Sequence, residues 1–193
     1  MKMKKTLYLT LGISGSGKSW YIKNKMREDF SDLDSYLTDN DLDISELIVS
    51  PDDLRRELTG DVNNHTREVQ IWKTLVYVKI KEKLRTYGFC IFDATNTSKR
   101  KKFLKEFKNV RKIGLIFKPD VELSYERITE DIDNGVDRSN VPLNAINEQY
   151  ERFVNSVIFF KWDGEWNKVI KKKITERLKK EENLEVVFVP IKK

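Results

Sequence analysis

The sequence has 193 residues, with 37 Lys and Arg against 31 Asp and Glu, one histidine and one cysteine, for a net charge of +6. The lone Cys90 excludes an internal disulfide, the absence of a Cys/His cluster excludes a structural zinc site, and no apolar run approaches the ~18 to 20 residues of a membrane span. A soluble, cytoplasmic chain with one sizeable core is expected, one domain over residues 1–193; the basic start Met1–Lys5 meets the polar loop at Gly12 too soon to build a signal-type apolar segment. The isoelectric point near 9.2 agrees with an acidic partner such as nucleic acid, while the interspersed acids leave Lys171–Lys173 and Lys179–Lys180 readable as solvated faces.

Thr6–Leu11 is an apolar run that predicts a buried strand, and it runs directly into Gly-Ile-Ser-Gly-Ser-Gly-Lys-Ser over residues 12–19. That is the G-x-x-x-x-G-K-S spacing of a phosphate-binding P-loop, which composition produces by chance in well under ~1% of chains this short. Gly12, Ser14, Gly15, Ser16 and Gly17 turn backbone N–H groups into one concavity at a helix N-terminus, where a polyphosphate is favourable. Lys18 then reaches the β- and γ-phosphates of ATP, and the Ser19 hydroxyl ligates Mg²⁺. A helix is expected over residues 18–29.

Further strands are predicted at 47–50, 89–92, 113–117 and 186–189, with a weaker one at 167–170. Helices are predicted at 51–58, 65–87, 98–109, 121–132 and 143–157. Short apolar runs alternating with helical stretches argue for an α/β fold with a parallel central sheet and helices on both faces. Ligands of such sheets lie beyond the C-terminal ends of the strands, so the residues following each strand carry the information.

After the second strand, residues 50–56 read Ser-Pro-Asp-Asp-Leu-Arg-Arg. Ser50 and Pro51 followed by acids form a capping box in its own right. The turn also follows a strand expected near the P-loop strand, where Asp52 can accept a proton from a hydroxyl and Arg55, one turn on, can hold an anionic acceptor. After the third strand comes Asp93-Ala94-Thr95-Asn96. Asp93 at that strand end can support the metal from outside its ligand shell, or anchor Arg55 or the loop by hydrogen bonds. Residues 127–142, ending in Pro142, read as a lid that delivers Arg138, or else Arg127, to the transferring phosphoryl group; either arginine can equally pair with Asp131 or Asp137. His65 reads as part of a helix start. Trp72, Trp162 and Trp166 read as packing residues, in preference to base-stacking platforms.

The P-loop, the Ser50–Arg55 turn, the Asp-Ala-Thr-Asn segment and the Arg127/Arg138 pair before Val141-Pro142 together resemble the 5′-kinase domain of bacterial and phage polynucleotide kinases, over residues 5–160. The resemblance implies a three-layer P-loop kinase with the P-loop strand central and a helical lid, using ATP and Mg²⁺. It implies phosphorylation of a 5′-hydroxyl on DNA or RNA, as in nucleic acid repair. By the same resemblance Asp52 is the general base, Arg55 binds the phosphate next to the acceptor nucleoside, Asp93 stands among the substrate-side residues, and Arg127 and Arg138 lie on the ATP phosphates. The sequence departs from the family where Glu130–Asn134 is acidic, and it has no Asp-x-Asp-Gly-Thr phosphatase motif. Two other functions are compatible with the residues: phosphorylation of a small hydroxyl compound such as a nucleoside, sugar derivative or nucleotide sugar, and nucleotide-switched binding without catalysis. Residues 160–193 lie beyond the motifs and read as two strands flanking a basic helix.

Overall fold

The computed structural model describes residues 4–98, 100–160, 162 and 164–190. Five parallel strands form one sheet in the order β2-β3-β1-β4-β5, where β1 is Thr6–Leu11, β2 Ile48–Val49, β3 Phe89–Phe92, β4 Arg111–Phe117 and β5 Glu185–Val189. The P-loop strand is central, and all six of its residues are buried because both faces of the sheet are covered. On one face Tyr8 packs with Tyr21, Ile22 and Met26 of α1 (Lys18–Asn24) and α2 (Met26–Asp29) and with Leu33 and Leu37 of α3 (Ser31–Asp39). On the other, Leu7, Leu9 and Leu11 pack into the larger core under α4 (Pro51–Thr59), α6 (Val76–Thr86), α9 (Leu143–Phe153) and α10 (Lys168–Glu182). Each such fully buried leucine contributes about 1.5–3 kcal/mol, so the strand carrying the loop is among the most firmly held in the molecule.

Several boundaries differ from expectation. The helix expected over 18–29 breaks at Lys25, whose backbone is non-helical and whose N–H closes α1 on the Tyr21 carbonyl. No helix is expected where α3 lies, although Phe30, Leu33, Tyr36 and Leu37 recur at helical spacing and all pack on the core. Residues 167–170 are no strand: the Asn167 side chain accepts from the N–H groups of Val169 and Ile170 and caps α10. The C-terminal segment therefore contributes one strand, β5. The helix expected over 98–109 shortens to α7, Arg100–Leu104. The long helix expected over 65–87 is continuous but changes pitch, from a 3₁₀ turn at His65–Arg67 through α5 (Glu68–Gln70) and a π-helical stretch at Ile71–Leu75 into α6. A second π-helical stretch, Val154–Ile158, ends α9. β2 pairs with β3, which lies between it and β1, so the turn carrying Asp52 stands near the P-loop strand with one strand between them.

Candidate active site

Because every strand is parallel, the segments after β1, β2, β3 and β4 all emerge at one edge of the sheet. The loop after β1 is shaped by its glycines. Gly15 and Gly17 have φ of 75° and 87°, a left-handed conformation that residues with a Cβ adopt only with strain. A Cβ on Gly15 would also be driven into the backbone of Ser124 in α8 (Val121–Asp133). The Ser14 N–H donates to Oε1 of Gln149 in α9 at 2.7 Å, which ties the loop to a second helix. At its exit Gly17 is the N-cap of α1, so the first-turn N–H groups of Lys18 and Ser19 have no carbonyl one turn back and point into the concavity.

Lys18 is buried and its Nζ donates to the Ile13 carbonyl at 2.6 Å, folding the side chain back over the loop. The Ser19 hydroxyl donates to Asp93 Oδ2 at 2.6 Å, and Thr10 Oγ1 donates to Asp93 Oδ1 at 3.3 Å. Asp93 thus closes a bridge between β3 and the loop following β1. Burial pushes the Lys18 ammonium down, opposed first by Asp93 and then by Asp52. Burial likewise pushes the Asp93 carboxyl up, opposed first by Lys18 and then by its hydrogen bonds from Ser19 and Thr10. Asn96, itself at φ 49°, donates from Nδ2 to the Thr10 carbonyl, and the Gly12 N–H donates to the Thr95 carbonyl at 3.1 Å. The Asp-Ala-Thr-Asn segment therefore buttresses the P-loop at its two ends.

These residues fit a nucleotide and its metal. The Ser16 hydroxyl is buried within the loop and has no hydrogen-bond partner among the described residues, an acceptor-seeking group where a phosphate oxygen would lie. Ser19 and Asp93 are hard oxygen donors, of which Mg²⁺ takes one or two from a protein and the rest from phosphate and water.

After β2, Ser50 caps α4 by accepting from the Asp53 N–H, so the capping box is real. It does not consume Asp52, whose side chain is 53% exposed and accepts from Arg55 Nη1 at 2.7 Å. Arg55 is almost wholly buried; its Nε donates to Glu68 Oε1 at 2.6 Å and its Nη1 also donates to the Val62 carbonyl. Among the described residues Asp93 has no hydrogen bond or ion pair with Arg55, so of its two possible anchoring roles the one toward the loop is formed. Glu68 also accepts from Trp72 Nε1 at 2.8 Å; Trp72 is 40% exposed, and its ring packs edge-on against the buried Phe92 of β3, the inter-element packing expected for it. Trp162 and Trp166 also pack against the core. His65 does not cap the 3₁₀ turn; Asn64 does, and His65 Nδ1 lies 3.3 Å from Glu68 Oε1.

The lid segment comprises the end of α8 and the loop to α9. Arg127 faces the P-loop, with a guanidinium nitrogen 3.7 Å from where a Gly17 Cβ would stand, and it makes no ion pair among the described residues. Arg138 pairs with Asp131, yet its charge is felt at Lys18 and its buried Nε has no partner among the described residues. The loop is pinned to α4 by Arg56, which donates to the Asp137 carboxylate at 2.7 Å and to the Asp137 carbonyl. Asn140 adds a bond from its N–H to Asn63 Oδ1.

Sequence reasoning misses Glu68, Gln149 and Ser124. Each acts on a residue 13 to 135 positions away, and nothing local in the sequence marks the pairing.

A parallel sheet with a glycine loop, a buried lysine and a strand-end aspartate at its C-terminal edge defines the chain as a P-loop protein of the kinase fold. Residues 7–155 match the AAA domain family, and the chain belongs to it. A solved structure described as the Pnkp1/Rnl/Hen1 RNA repair complex has the same fold, with a TM-score of 0.63 at 19% identity over 83% of this chain. The match covers 48% of that chain, so the present chain spans about half of that relative's length. A gluconokinase from Sinorhizobium meliloti 1021 aligns over 99% of this chain and 86% of its own, at 14% identity and a TM-score of 0.43. No curated protein sequence matches. No helix among the described residues is long and apolar enough to cross a membrane.

Proposed function

We propose that this chain is an ATP-dependent phosphotransferase that phosphorylates the 5′-hydroxyl of a polynucleotide or oligonucleotide, its whole length acting as one P-loop kinase domain. The observation that carries the reading is the Asp52–Arg55 pair. An exposed carboxylate beside a buried guanidinium stands at the same sheet edge as the P-loop, close enough for the Asp52 charge to act on Lys18 and Asp93. The repair-complex structure and the kinase-type fold support phosphoryl transfer as the chemistry.

ATP with its Mg²⁺ supplies the transferable γ-phosphoryl group. Gly12 to Gly17, with Ser14 and Ser16, cradle the phosphates; Lys18 neutralises them, and Ser19 with Asp93 behind it holds the ion. Asp52 orients the acceptor hydroxyl and takes its proton at Oδ1 or Oδ2. Arg55, locked by Glu68, binds the phosphate that flanks the acceptor nucleoside, and the exposed Trp72 indole beside it offers a face on which a base can stack. Arg127 and Arg138 cover the phosphates from the lid, with Arg138 leaving Asp131 for the developing negative charge.

The test is incubation with γ-labelled ATP, Mg²⁺ and a panel of 5′-hydroxyl DNA, 5′-hydroxyl RNA, nucleosides and sugars. Label on the oligonucleotides alone is the expected result. Label on nucleosides or sugars in preference to oligonucleotides overturns the polymer assignment, and no label on any acceptor overturns catalysis in favour of a nucleotide-dependent binding protein.

A further inference from the structure

Away from the P-loop, α7 and α10 form the walls of an open groove of about 510 Å³. Five cations line it, Arg100, Lys101, Lys102, Lys105 and Arg177, against one carboxylate, Glu182. They divide into two kinds. Arg100 and Glu182 form a buried pair at the floor, with Arg100 Nε and Nη2 donating to the two carboxylate oxygens at 2.7 and 2.8 Å. Arg100 also donates to the Asn96 and Ser156 carbonyls, and the Ser156 hydroxyl donates to the Thr97 carbonyl. This knot fixes α7, α10 and the end of α9 relative to one another, so the groove is built into the fold.

The rim is different. Lys101, Lys102 and Lys105 are exposed, and none has an ion-pair or hydrogen-bond partner among the described residues. Lys101, within α7, and Lys105, just beyond its end, both line the groove. On the facing wall Arg177 is stacked 3.6 Å above the Phe159 ring and paired with Glu181, which holds its guanidinium in place. A rigid trough with a neutralised floor and uncompensated cations along its rim suits a linear polyanion with evenly spaced charges better than a compact one.

Position connects this trough to the candidate active site. Ser98 lines the groove, and it is five residues beyond Asp93, whose carboxylate holds Ser19. Five residues span at most about 18 Å even when extended, and Asn96 lies in the left-handed region, so the true separation is shorter. About five nucleotides cover that distance at ~3.4 Å of rise each.

We propose that the α7/α10 groove binds the phosphate backbone of a nucleic acid strand, holding the acceptor a few nucleotides beyond the end presented to Asp52. This rests on the reading of the acceptor as a polynucleotide. It predicts that affinity grows with strand length up to the point at which the strand spans both sites.

The test is fluorescence anisotropy with 5′-hydroxyl oligonucleotides of 2, 5, 10 and 20 residues, for the wild-type chain and for Lys101→Glu/Lys102→Glu/Lys105→Glu, with Lys105→Glu alone as a milder variant. The 20-residue strand should bind the triple variant at least tenfold more weakly, and the slope of log affinity against log salt should fall by about 2, at ~0.7 for each phosphate that the lysines no longer neutralise. The dinucleotide should show no difference. Equal affinity and equal salt slope for the 20-residue strand in wild type and triple variant overturns the groove, as does tighter lysine-dependent binding to phosphatidylserine vesicles than to the strand. Lysine-dependent binding of long strands that are never phosphorylated would keep the groove and remove the 5′-kinase reading; phosphorylation of long strands with no dependence on the lysines would do the reverse.

Discussion

The two sides of the candidate site are held by different means. On the donor side the P-loop is shaped chiefly by backbone, with left-handed glycines, a strand buried on both faces and the Gly12 N–H bonded to the Thr95 carbonyl, and uncharged hydrogen bonds with Asn96 and Gln149 add to it. On the acceptor and lid side the functional groups are fixed by side-chain ion pairs, Asp52 with Arg55, Arg55 with Glu68, Arg56 with Asp137 and Arg138 with Asp131. A backbone-built cradle keeps its shape whatever is bound. A side-chain-built face can exchange its internal partners for a ligand's charges, which is what recognition and lid movement require.

That contrast can be broken by mutation. The largest effect is expected from Asp52→Ala, which removes a general base and should lower kcat by about 10²–10⁴ while ATP affinity, measured by calorimetry, stays within about threefold. If ATP affinity falls as far as turnover, the two sides are not separable. Lys18→Ala should lower kcat by about 10²–10³ and weaken ATP binding as well, since the lysine belongs to the cradle in both the bound and the reacting state. Arg55→Ala should chiefly raise the acceptor KM, by about tenfold or more for the loss of charged hydrogen bonds, and Arg55→Lys should recover only part of that because an ammonium cannot hold Asp52 and Glu68 with a planar fork.

The smallest effect is on stability against pH, and it differs in sign between the sides. Burial acts to raise the Glu68 carboxyl, but the hydrogen bond and charge of Arg55 outweigh it, leaving Glu68 below its ordinary value. Its contribution is therefore present above the unfolded value, about 4.5, and is lost as pH falls through the lower folded one. Asp93 is raised by burial, so protonating it favours the folded chain, and its contribution is present at low pH and lost as pH rises through the folded value. Between pH 7 and 3 the melting temperature of Glu68→Gln should fall less steeply than wild type, and that of Asp93→Asn more steeply. Identical pH profiles for all three proteins would remove the electrostatic distinction.

The same contrast explains what can be read from the sequence. Glycine spacing, an apolar strand and a cap are local signals, so the P-loop, the α4 start and all five strands are legible within a residue or two. The central place of β1 comes with the family resemblance, and the structure agrees with it. The partners that complete the acceptor side are not legible, because Glu68, Gln149 and Asp137 are ordinary polar residues until the fold brings them to Arg55, Ser14 and Arg56. Trp72 packs edge-on against Phe92 as its sequence suggests, and the part that is not legible is its bond to Glu68.

The central place of β1 has a consequence for biosynthesis. Its hydrogen-bonding neighbours are β3 and β4, and the register runs from Thr6 opposite Arg111 to Leu11 opposite Ile116. A ribosome adding ~5–20 residues per second makes the loop at residues 12–19 roughly 5 to 20 s before the strand that completes its support. Until β3 and then β4 emerge, Leu7, Leu9 and Leu11 have no neighbouring strand to pair beside, so the nascent chain carries an unshielded apolar strand over that interval. The phosphate loop is thus translated well before the strands that hold its own strand in the sheet.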